Sequence, residues 1–128
     1  MTTIKEWTYK GKRCKIIQDS DLGHYCGYVQ TGLRGNITIN AELWRLIEVH
    51  GGINYGIDEE GWIGFDCAHI NDICVDENGE VTSDYFKNRE DEDSIIWSPE
   101  DVEEEVEKFA EQIIALEKTV HEAERSEQ

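Results

Sequence analysis

Apolar and polar positions alternate through the first thirty residues, and the period lengthens towards the end of the chain. Residues 4–10 (IKEWTYK) and 13–18 (RCKIIQ) are rich in β-branched and aromatic side chains. They flank Lys10-Gly11-Lys12, which predicts a β-hairpin closed by a glycine turn. Residues 24–30 (HYCGYVQ) predict a third strand, with Gly27 at a bulge or a close backbone approach. A strand over 37–39 is expected next. A short helix over 41–49 follows, capped by Asn40 and ended by Gly51-Gly52. Residues 53–55 and 62–67 predict a second hairpin around 56–61. Residues 76–94 are mostly acidic and predict an exposed excursion with a small element over 81–86.

After Ser98 the period is helical. Val102, Val106, Phe109, Ile113, Leu116 and Val120 recur at intervals of four and three. Ser98 suits the N-cap, Pro99 the first helical position, and Asp101 the place where a capping box puts its acid. Ala110 and Ile114 widen the stripe beyond a coiled-coil seam, which favours a helix lying across a sheet. The last turns also suit pairing with a second copy of the chain, giving a homo-oligomer. The expected fold is α+β: an antiparallel sheet of four to six strands packed against one long C-terminal amphipathic helix. The helix is expected to shield Trp7, Trp62, Trp97 and Phe65. One domain is expected over 1–128. It divides into a sheet-rich part (1–75), an acidic excursion (76–97), the helix (98–122) and a frayed end (123–128).

Charge sharpens this division. The chain has 128 residues and a formal net charge of −17. Residues 1–75 hold 10 acids and 7 bases, whereas residues 76–128 hold 19 acids and 5 bases. Such a surface repels phosphate, which argues against direct binding to nucleic acid or anionic lipid. No apolar run approaches the roughly 18–20 residues that cross a bilayer, and the first residues lack a signal-peptide stretch. A cytoplasmic location is expected, inside the host cell if the chain is phage-encoded. Cys14, Cys26, Cys67 and Cys74 are then expected as reduced thiols.

Two constellations carry candidate chemistry. His24 and Cys26 are two apart, as are Cys67 and His69 in the opposite order. On neighbouring strands the four would converge as a Cys₂His₂ zinc site, although the spacing matches no standard zinc module and free cysteine commonly just packs. The second group lies near strand ends: His50 before Gly51-Gly52, then Asp66, Cys67, His69 and Asp72. Loops at sheet edges are where binding groups concentrate, and paired glycines admit a ligand close to the backbone. As catalytic candidates, His50 or His69 would act as base, Asp66 or Asp72 would orient it, and Cys67 would be a thiolate nucleophile. The plainer alternative has both aspartates satisfying turn amides. No GxSxG, P-loop, dinucleotide fingerprint or HExxH occurs, which lowers the enzyme reading.

The blocks HYCGYV (24–29), VHGGINYG (49–56) and GWIGFDCAHIND (61–72) resemble an uncharacterised family of small phage, bacterial and archaeal proteins. That family pairs a His-x-Cys-Gly-Tyr strand with a His-Gly-Gly turn, a Trp-aliphatic-Gly-Phe-Asp-Cys-Ala-His block and a Trp-x-x-Glu-Asp-Val helix start. The corresponding positions here include Tyr28, Ala68, Trp97, Glu100 and Val102. The resemblance covers about residues 7–116. It implies a phage or mobile-element context and no assigned chemistry. The insert over 33–48 is longer than in that pattern. A looser likeness, at the level of architecture alone, is to phage counter-defence proteins that sequester nucleotide-derived immune signals.

Three functions follow in order. The first is a non-catalytic small-ligand-binding protein with its pocket near His50, Asp66 and His69. A nucleotide-derived ligand would require cations such as Lys12, Arg13, Arg34 or Arg45 to face it, with Tyr28, Gly51 and Gly52 as further contacts. The second is an acidic module that binds a host protein by mimicking nucleic-acid charge. The third is a small metal- or thiol-dependent hydrolase.

Overall fold

The hydrophobic alternation builds two small sheets under one long helix. The computed structural model describes residues 1–33, 45–84 and 94–126. The first sheet runs in the order β1 (Thr2–Tyr9), β2 (Lys12–Gln18), β3 (Tyr25–Gln30) and β4 (Trp62–Asp66), all antiparallel. The second places β5 (Asp72–Val75) between β6 (Val81–Ser83), antiparallel, and β7 (Ile95–Trp97), parallel. The helix α1 covers Pro99–Ser126. The α+β architecture is as expected, but the strands divide into two sheets rather than one. The expected strand over 37–39 and residues 41–44 of the expected helix over 41–49 lie outside the described residues; of the remainder, Arg45 and Leu46 are helical and 47–49 are not. The end of the element over 81–86 lies outside the described residues as well.

Period-two alternation decides which face meets the helix. Cys14 and Ile16 on β2, Tyr25 and Val29 on β3, and Ile63 and Phe65 on β4 are buried in the core. Val102, Val106, Phe109, Ala110 and Ile113 of α1 close over them, and the stripe packs on this core as far as Val120. Gly27 sits under the crossing point. A Cβ there would meet Val106 Cγ2 at 2.6 Å and the Phe65 ring at 2.7 Å, so the close backbone approach read from the sequence is real. Ser98 and Asp101 make the reciprocal capping box, with Asp101 N–H bonding Ser98 Oγ (3.2 Å) and Ser98 N–H bonding Asp101 Oδ2 (3.0 Å).

Trp62 departs from expectation. It alternates onto the face of the first sheet that points away from α1. There it is covered by Lys15, whose Nζ lies 4.0 Å from the ring centroid, and by Arg13 at 5.5 Å. Cation–aromatic contact, rather than the helix, shields it.

The helix is also tied down by charge. Lys5 pairs with Glu103, Lys10 with Glu111, and Lys12 with Glu117. Glu117 further accepts from Thr31 Oγ1 (2.6 Å) and Gly32 N–H (2.9 Å). The anionic helix is therefore partly neutralised by the β1–β2 hairpin of its own chain.

Candidate functional site

The turn joining β4 to β5 brings the polar groups together. Asp66 closes β4, and its Oδ1 accepts the Ala68 N–H at 3.2 Å. Asn71 takes a positive φ of 73°, and Asp72 N–H returns to His69 O at 3.0 Å. Asp72 thereby becomes the first residue of β5, with its side chain turned inward beside Cys74 on the same face. The segment after His50 runs along the free edge of β4, where Gly64 and Tyr55 exchange backbone hydrogen bonds. That segment carries His50 to the same turn.

The centre of the group is the Asp72 carboxylate, which has no solvent-exposed side-chain surface. His50 Nε2 lies 2.8 Å from its Oδ2 and 3.1 Å from Oδ1. His69 Nδ1 lies 3.1 Å from Oδ2, and the His69 N–H donates to the same oxygen at 2.9 Å. The Trp97 indole N–H donates to Oδ1 at 3.2 Å. A carboxylate only accepts, so both imidazole nitrogens facing it carry protons. Burial pushes the Asp72 carboxyl up, but the bonds from His50 and the His69 amide, the His50 charge and the Trp97 bond outweigh it. The group is held below the usual carboxylate range.

The two imidazoles meet edge to face, with centroids 5.0 Å apart, and Trp97 tilts against His50 at 4.6 Å. His50 N–H is held by Glu105 Oε2 from α1 at 2.8 Å. On its other side, His69 presents Nε2 to Asp66 Oδ1 at 3.6 Å, while Asn54 Nδ2 bonds Asp66 Oδ2. Gly51 makes this fit possible. Its φ is +70°, and a Cβ there would lie 2.1 Å from the His69 ring. The imidazoles remain reachable, with side-chain exposures of 17% for His50 and 38% for His69.

Four of the expected residues, His50, Asp66, His69 and Asp72, thus gather at one rim, with Gly51 supporting them. The expected zinc set does not gather. Cys26 pairs with Asp66 across β3 and β4, which turns Cys67, one residue on, to the opposite face. Among the described residues, the group with ligand atoms within 4.8 Å of one another is His50, His69 and Asp72. His24 and Cys26 are buried and are not part of that group. Cys67 is 1% exposed, and its bond with Cys74 together with burial pushes its thiol far up, so it offers no thiolate nucleophile. Burial likewise raises Cys26 to about 12 and Cys14 to about 11.

The expected phosphate partners are elsewhere. Lys12 faces Glu117, and Arg13 bonds Glu6 at 2.6 Å on the face away from α1. Tyr28 is on that same face, edge to face with Tyr55. Arg45 is exposed, and Arg34 lies outside the described residues. Gly52 has open space where a Cβ would project. Clefts of about 520 and 450 Å³ exist, but they are lined by Thr31, Asp58 and Glu60 in one case and by Lys5, Glu77 and Glu103 in the other. The rim borders neither of them.

Two members of the site, Trp97 and Glu105, escaped the sequence reading. Both lie more than 20 residues beyond the turn, and Glu105 belongs to a helix read for its apolar stripe and its cap. Comparisons with protein-family models, with curated proteins and with solved structures find no match to this chain.

Proposed function

We propose that this protein is a small-ligand-binding protein whose site is the His50–Asp72–His69 rim. The observation that carries the reading is a fully buried carboxylate bridging two partly exposed imidazoles. Such a charge is expensive to bury, and here each of its oxygens has partners that also lead to the surface. The surroundings favour a small ligand that is cationic or donates hydrogen bonds. Asp66, Asp72 and Glu105 make the local charge negative, and Lys5, Lys10, Lys12 and Arg13 are engaged with acids elsewhere. That balance moves support away from a nucleotide-derived ligand, which needs cations facing the rim. The thiol-hydrolase reading loses its nucleophile with the burial of Cys67.

Native mass spectrometry of the full chain tests this reading, with His69→Gln in parallel. The expected result is a bound species retained by the unaltered chain, lost on denaturation and absent from the variant. A chain whose mass is bare, and whose Tm moves with no ion or small molecule screened, would overturn the reading.

A further inference from the structure

We propose that His50, His69 and Asp72 hold one divalent first-row transition-metal ion of the zinc class. This deepens the ligand-binding reading and rests on it. The ligand atoms are His50 Nε2, His69 Nδ1 and Asp72 Oδ2. Their separations of 2.8 Å and 3.1 Å about the shared oxygen compare with about 3.3 Å between ligands of a tetrahedral zinc with bonds near 2.0–2.1 Å. These two separations need to grow by only a few tenths of an ångström, all three ligand atoms lie within 4.8 Å of one another, and both imidazoles are partly exposed.

The donor set decides the class of ion. Two imidazoles and one carboxylate suit zinc and its neighbours, whereas calcium and magnesium take oxygen ligands. Three protein ligands leave a fourth position for water or a further ligand.

The surroundings supply what a metal site needs behind its ligands. On binding, each ligating nitrogen gives up its proton, and the ring keeps a proton on its other nitrogen. For His69 that nitrogen is Nε2, 3.6 Å from Asp66 Oδ1, so the ring gains a carboxylate partner on the far side from the ion. Asp66 is itself fixed by the Ala68 N–H and by Asn54. Asp72 stays anchored through the His69 N–H and the Trp97 indole, and Glu105 fixes the His50 backbone. Gly51 holds the chain against the His69 ring.

The test strips the full chain with a chelator and titrates it with Co²⁺, then measures Zn²⁺ by competition against a chromophoric chelator. The expected result is one equivalent per chain, with visible cobalt bands of tetrahedral intensity. His69→Gln and His50→Gln, checked for folding by circular dichroism, should each weaken Zn²⁺ by well over tenfold. Asp66→Asn should weaken it by about 10–100-fold, and Cys26→Ser should leave it unchanged. No stoichiometric binding, or Zn²⁺ affinity unaltered in both histidine variants, overturns the proposal. If native mass spectrometry then finds an organic species that His69→Gln loses, the metal assignment falls and the ligand-binding reading stands. If it finds none, both fall.

Discussion

Gly51 and His69 define how closely this rim is fitted. The Gly51 backbone lies in left-handed conformation against the imidazole, at a distance no Cβ tolerates. Gly51→Ala should therefore lower stability by about 1–3 kcal/mol through strain and forced displacement of the ring. The same change should abolish ligand retention, while Gly52→Ala, where space is open, should act through backbone strain alone. Chemical denaturation of the two variants, read with ligand binding, separates the effects. Asp72 was legible as a polar residue near a strand end, and it does accept a turn amide as the plainer alternative held. Its burial was not legible. It opens a four-residue strand, DICV, too short for alternation to mark which face an aspartate takes.

The helix is the element that the sequence announced most fully, because period, cap and first-turn acids agree over many residues. Ser98→Ala removes an Oγ that accepts the Asp101 N–H and donates to its carboxylate. It should cost about 1 kcal/mol, measured as a lowered Tm. Glu117 offers a second handle. Burial pushes its carboxyl up, but the bonds from Lys12, Thr31 and Gly32 hold it below its ordinary value. A depressed folded pKa contributes stability that is present above the unfolded value, near 4.3, and is lost as pH falls through the folded one. Glu117→Gln should thus cost about 1–2 kcal/mol near pH 7. Its deficit against the unaltered chain should shrink towards zero as urea unfolding is repeated below about pH 4. A constant deficit would mean that packing, not charge, ties Glu117 to the hairpin. By contrast, β5 and β7 were not foreseen as partners. Their parallel pairing joins segments more than 20 residues apart, and local pattern carries no information on such a register.

Taken as one object, the molecule places its chemistry where two sheets and the helix meet. The first sheet contributes Asp66 from the end of β4, the second contributes Asp72 and Trp97, and α1 contributes Glu105. The sequence located His50, Asp66, His69 and Asp72 near strand ends, because glycine turns and strand boundaries are local signals. It paired His24 and Cys26 with Cys67 and His69 because two-residue spacing says nothing of which face the neighbouring strand presents. The overall charge of −17 now has a partial internal role, since three lysines of the hairpin spend theirs on α1. Less of the anionic surface is then left to imitate a nucleic acid. The most direct test is an anomalous difference map at the zinc edge, from crystals of the chelator-stripped full chain soaked in zinc. The account predicts one strong peak bounded by His50, His69 and Asp72. A strong peak elsewhere, at His24 and Cys26 for example, with none at the rim, would contradict it.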